Sequence, residues 1–95
     1  MLVLPKELTQ AEATVCLAQL VSGLRTQSGP EVVLDASALG RFDSAALAVL
    51  LECRRESLSL GKRFTICGMP ARLADLATLY GIDELLPSTA PTPVK

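Results

Sequence analysis

The chain has 95 residues, 49% of them hydrophobic but only 3% aromatic, with no histidine and a formal net charge of −1 at pH 7. That length fits one domain with a single modest core, built from Leu, Val, Ala and Ile rather than from aromatic rings. A near-neutral charge, short basic pairs such as Arg54–Arg55 and few aromatics argue against a nucleic-acid binder.

Residues 1–5, Met-Leu-Val-Leu-Pro, read as a short apolar strand ended by Pro5. This start lacks the basic region, apolar centre and cleavage site of a secretory leader, so a soluble, cytoplasmic protein is expected. Thr9-Gln-Ala-Glu12 fits a capping box, in which hydroxyl and carboxylate each satisfy an orphan backbone donor. Ala13, Leu17, Leu20, Val21 and Leu24 then recur at helical spacing, predicting a helix over about 10–27 that Ser28-Gly29-Pro30 stops. Val32-Val33-Leu34 is an unbroken apolar run, the pattern of a parallel strand covered on both faces, with Asp35 at its carboxyl end. Residues 36–42 read as a loop.

A second helix is predicted over about 43–60, closed by Gly61 in a left-handed cap. Its Ala45–Leu51 segment is the longest wholly apolar run and far too short to span a bilayer, which needs about 20 residues. Arg63–Cys67 reads as a third strand ending at Gly68, and Pro70 suits the first turn of a third helix. Leu73, Leu76, Ala77 and Tyr80 are its expected buried stripe, Gly81 its end. Ile82, Leu85 and Leu86 are expected to fold back on the body. A domain over 1–86 would leave residues 87–95 as a disordered, proline-rich tail. The β-α-β-α-β-α order predicts an α/β fold with right-handed crossovers between parallel strands, and sites in such sheets gather beyond the strands' carboxyl ends.

Few of these residues suggest reaction chemistry. Cys16, Cys53 and Cys67 are odd in number, lack a CxxC spacing and have no histidine to complete a zinc set, so they read as reduced, buried thiols. No metal or other cofactor is implied. Gly61-Lys62 lacks the preceding glycines of a phosphate loop and reads as a turn. Ser44 has no imidazole to activate it as a nucleophile. Asp35 and Asp43 could form a carboxylate pair, but Asp43 directly precedes a helix and is explained as its cap. An enzyme is therefore not expected. Ser44 then falls at the first helical position, where it either assists the cap or serves as a recognition or phosphorylation site, since helix starts accommodate phosphate.

Three stretches together resemble the STAS domain family, of sulfate transporters and anti-sigma-factor antagonists. They are Leu-Pro-Lys-Glu-Leu-Thr at 4–9, similar to the family's Gly-Glu-Leu-Asp strand end, the strand-then-loop segment 32–51 from Val-Val-Leu-Asp through Phe-Asp-Ser-Ala-Ala-Leu to Leu51, and the strand–helix segment 61–86. The Leu-Ala-Thr-Leu-Tyr-Gly-Ile-Asp-Glu-Leu-Leu-Pro ending is similar to the small STAS subunit of Mla-type phospholipid-transport ABC systems. The resemblance implies a STAS-like single domain with a small, mostly parallel sheet of three to four strands and three main helices. It further implies a non-catalytic subunit that docks on the cytoplasmic ATPase, and through it on the permease, without touching lipid. Such a subunit would lie at the inner membrane only through its partner, supporting transport that maintains outer-membrane lipid asymmetry. Asp43, Ser44, Ala45, Ala46 and Ala48 are the implied partner-contact or switch residues. The alternative is an anti-sigma-factor antagonist phosphorylated at Ser44 by a partner kinase. Three departures stand out: Ala46 replaces the motif's glycine, Thr9 replaces an aspartate, and the family's leading strand has no counterpart. The last leaves either a three-stranded sheet or an edge able to pair with another chain, including a second copy.

Overall fold

The computed structural model describes residues 2–27 and 29–86. Met1, Ser28 and the expected tail at 87–95 lie outside the described residues. In chain order the elements are β1 (Leu2–Val3), β2 (Glu7–Leu8), α1 (Gln10–Thr26), β3 (Glu31–Asp35) and β4 (Arg41–Phe42). They continue with α2 (Ser44–Ser59), β5 (Arg63–Cys67), α3 (Ala71–Leu79) and a 3-10 turn at Asp83–Leu85.

The main sheet has the order β1-β3-β5, all parallel, with Leu2 opposite Leu34, Val32 opposite Phe64 and Leu34 opposite Ile66. Val32, Leu34, Phe64 and Ile66 point into the core from alternate positions of β3 and β5. Val33 and Thr65, on the opposite face, are only half-buried. The unbroken apolar run thus overstates the cover: one face is packed and the other is partly open.

A second, two-stranded parallel sheet pairs β2 with β4, the latter inside the 36–42 segment that reads in sequence as a loop, placing Glu7 opposite Arg41 and Leu8 opposite Phe42. Two-residue strands carry no periodicity to detect. The ladder is anchored by Lys6, whose carbonyl accepts from the N–H groups of Gly40 (2.8 Å) and Arg41 (3.0 Å). It has a positional consequence. Each of its strands runs straight into a helix cap, Thr9 for α1 and Asp43 for α2, so the two helix starts lie side by side.

The capping box at α1 is formed as the spacing predicts. Glu12 Oε1 accepts from the Thr9 N–H at 2.8 Å and from its hydroxyl at 2.7 Å. These hydrogen bonds from Thr9 hold the Glu12 carboxyl below its ordinary pKa. A depressed folded-state pKa contributes stability that is present above the unfolded value and lost as pH falls through the folded one. Melting temperature should therefore drop on acidification below the ordinary glutamate range. Glu12→Gln, which keeps an acceptor but not the ionisation, should flatten that acid limb; an unchanged limb would assign the acid loss elsewhere.

Cys16, Leu20 and Leu24 form the fully inward stripe of α1, with Ala13 and Leu17 packed at its margin. Burial pushes the thiol pKa up at Cys16 and, above all, at Cys53, to about 12, so both are inert at neutral pH. Cys67 is half-buried. At the far end of α1, Lys62 Nζ donates to the carbonyls of Leu24 and Gln27, so the Gly61-Lys62 turn serves as a helix C-terminal clamp. Gly61 adopts φ +73° as its cap role requires. Gly68 is needed for space as well as for its φ of +68°, because a Cβ there would sit 2.8 Å from the Ser37 Cβ.

The third helix departs from expectation at three points. Pro70 is its N-cap rather than a first-turn residue. Leu73 and Ala77 are buried, but Tyr80 is 56% exposed, because α3 ends at Leu79 and the next residue leaves the helical stripe. Leu86 is buried and Ile82 packs against the core, whereas Leu85, in the 3-10 turn, is exposed.

Candidate functional site

The start of α2 is built around Asp43. Its Oδ1 accepts from the Ala45 N–H at 2.8 Å, the expected N-cap bond. Its Oδ2 also accepts from the Gln10 N–H at 3.2 Å, the first residue of α1. One carboxylate thus serves two helix starts, a role open to it only because the β2–β4 ladder aligns them. Asp35, the other candidate carboxylate, accepts from the Ser37 N–H at 2.9 Å, and hydrogen bonding by Ser37 lowers its pKa. Each aspartate is committed to its own turn or cap, and the structure does not make them a catalytic pair.

Ser44 follows Asp43 at the first helical position, exposed, and its hydroxyl makes no hydrogen bond within the described residues. Ala45 is half-buried and Ala48, one turn on, is exposed. Ala46 is fully buried beside Leu47, Val49 and Leu50. Ala46 is therefore removed from the contact set: it lies on the core side of α2, where its methyl group fills the packing. The segment 44–51 divides into a core face and a narrow outward strip of small residues, Ser44 and Ala48.

Ser44 also lines a groove whose other wall is α3. The groove is lined by Phe42, Asp43 and Ser44 on one side and by Arg72, Asp75, Leu76, Leu79 and Tyr80 on the other. Positions 72, 75, 76 and 79 share one helix face by their i, i+3, i+4, i+7 spacing. Leu79 is 79% exposed, the most open of the large apolar side chains among the described residues. The Arg72 guanidinium lies over the Phe42 ring, 5.5 Å from its centroid, which joins the two walls. The α3 wall is absent from the residues proposed in sequence. The available signal was Leu79, an apolar residue off the Leu73–Ala77 stripe and on a face shared with Arg72 and Asp75.

Among the described residues no group of three or more His, Cys, Asp or Glu side chains is placed to hold a metal ion, and no helix is long and apolar enough to cross a membrane. What the site offers is shape: a partly open groove in which Phe42, Leu76, Leu79 and Tyr80 stand beside Asp43, Arg72 and Asp75, with the exposed Ser44 at its edge. Such a surface suits a protein partner.

Residues 1–87 match the family described as "Mlab, STAS domain". No curated protein matches the chain. Among solved structures, an anti-sigma-factor antagonist (STAS) domain protein from Planctomyces limnophilus aligns with a TM-score of 0.77 at 17% identity, over 96% of this chain and 80% of that one. At that identity the likeness is one of fold.

Proposed function

The chain belongs to the Mlab-type STAS domain family, a family of non-catalytic domains, and from that premise we propose that it is the STAS subunit of an Mla-type ABC transporter. Its partner is then the cytoplasmic ATPase, and its role is to support assembly and activity of a phospholipid transporter whose permease it reaches only indirectly. The chain itself binds no lipid and is held at the inner membrane by its partner.

The observation that carries this reading is that exposed Ser44 lines the same groove as Leu79 and Tyr80. Small side chains on α2 let a partner backbone approach closely, while Leu79 and Tyr80 supply apolar area that water otherwise covers. Ser44, Ala45 and Ala48, with Asp43 behind them, form the proposed contact. Ser44→Asp tests it. A carboxylate at the first helical position favours the helix dipole, so folding should be unharmed. The same charge would be buried unpaired in the contact, so affinity for the ATPase should fall by about tenfold or more. Calorimetry with purified ATPase reads the effect, and full affinity in the variant would remove Ser44 from the interface.

A second reading is an anti-sigma-factor antagonist regulated at Ser44. It draws support from the exposed Ser44 hydroxyl, which makes no hydrogen bond within the described residues. A partner kinase with ATP should then add the mass of one phosphate to the wild type and none to Ser44→Ala. No mass gain would exclude it.

A further inference from the structure

We propose that the open edge of the main sheet is a self-association surface, on which a second copy of this chain adds its own β1, antiparallel, about a two-fold axis at Val3. The cleft along this edge shares no lining residue with the α2–α3 groove, so the proposal stands apart from the docking reading.

β1 ends the sheet order β1-β3-β5, and no strand among the described residues pairs with its outer side. The Leu4 N–H donates to the Asp35 carbonyl at 2.9 Å, so the backbone groups of Leu2 and Leu4 are the ones that face β3. Backbone direction alternates along a strand, which turns the N–H and C=O of Val3 to the free edge. Pro5, the next residue on that side, has no N–H to donate. The edge thus offers one residue with both of its groups open.

That pattern sets the geometry. In an antiparallel pair a residue exchanges both hydrogen bonds with the single residue opposite, whereas a parallel neighbour supplies them from two residues. Val3 of a second copy has the same two groups open at the same residue. A two-fold axis therefore satisfies all four groups at once.

Charge favours a copy as the occupant. Each residue near a two-fold axis meets its own duplicate, so a charged edge would repel itself. The cleft beside this edge, between β1 and α1, is lined by Val3, Leu4, Val15 and Leu20 among others. Its two carboxylates are engaged within the chain, Glu12 by Thr9 and Glu7 by Arg41. The exposed α1 residues that line it, Ala11, Val15 and Gln19, are uncharged. Val3 is 58% and Val15 63% exposed, apolar area that a second copy on this edge would take out of water.

Sedimentation velocity of the full chain reads the state directly. The contact is short and falls at the weak end of interface sizes, so the sedimentation coefficient should rise from monomer to dimer over about 10 μM to 1 mM. Val3→Pro removes the outward donor at an edge position that tolerates proline. It should weaken dimerisation about tenfold or more and leave the melting curve unchanged. Val3→Lys places like charges opposite one another and should weaken it similarly. Val3→Thr keeps the branched side chain and the backbone donor, and should stay within about twofold of the wild type. Amide exchange supplies the residue-level readout: Leu4 should be protected at every concentration, and Val3 only as the dimer fills.

A wild-type chain that stays monomeric up to about 1 mM would overturn the proposal. A dimer of unchanged strength in both Val3→Pro and Val3→Lys would overturn it as well, and would move self-association to another surface such as the Leu79 groove. Dimerisation lost in Val3→Thr would replace the backbone pairing with a side-chain contact.

Discussion

Leu50→Ala is expected to destabilise the domain by about 3 kcal/mol, whereas Ala48→Leu, two positions earlier on the same helix, should leave stability almost unchanged. Leu50 is fully buried, with Val49 and Leu47 buried beside it. Truncation there removes the transfer free energy of three carbons and leaves a cavity that the surrounding sheet and helices fill only in part. A low-aromatic core of this size has few large side chains able to swing into the gap. In thermal unfolding the loss corresponds to a melting temperature lower by about 15 °C. Ala48 is exposed, so a leucine there enters solvent and meets no packed neighbour. Affinity for the partner should respond in the opposite order. Ala48→Leu would wedge a bulky side chain into the proposed contact, while Leu50→Ala would bind normally at temperatures where it stays folded. Equal melting temperatures for the two variants would contradict the division of the helix into a core face and a contact strip.

That division marks where local sequence signals stop being informative. The capping box at Thr9–Glu12, the cap at Asp43, the stop at Gly61 and the presence of β3 and β5 are all set by neighbours within a few residues, and each is present as expected. A seven-residue apolar run has no polar member to show which side faces out. Which positions are core is decided by the sheet beneath α2, and that is tertiary information. Ala46 was misplaced for this reason: its motif position suggested the surface, and its burial follows from the orientation of the whole helix.

The same holds for pairings between distant segments. Glu7–Leu8 and Arg41–Phe42 have no strand signature of their own, yet their ladder positions both helix starts. The α3 wall likewise depends on α3 meeting the end of β4, a juxtaposition that appears in sequence only as an apolar Leu79 off the Leu73–Ala77 stripe. Tyr80 was assigned to the core by continuing a period one residue beyond the helix that generates it. The family resemblance captured the fold, while the groove beside Ser44 emerged only from the packing.

Asp43 offers the most direct way to separate the structural from the recognition role at this end of the fold. Asp43→Ala should cost about 2 kcal/mol, toward the upper end for loss of a helix cap, because two backbone donors lose their acceptor together. The corresponding fall in melting temperature is about 10 °C. Asp43→Asn should fall between, since its single carbonyl oxygen can take the Ala45 N–H or the Gln10 N–H but is poorly placed to span both as the two carboxylate oxygens do. Amide hydrogen exchange gives the residue-level readout: protection should drop at both Ala45 and Gln10 in the alanine variant, although they lie on different helices. An effect confined to Ala45 would reduce Asp43 to an ordinary cap of α2. With both sites affected, weakened partner binding by Asp43→Ala would follow from fraying of the helix start that presents Ser44. Its recovery at low temperature, where the start re-forms, would distinguish that indirect route from loss of a direct contact.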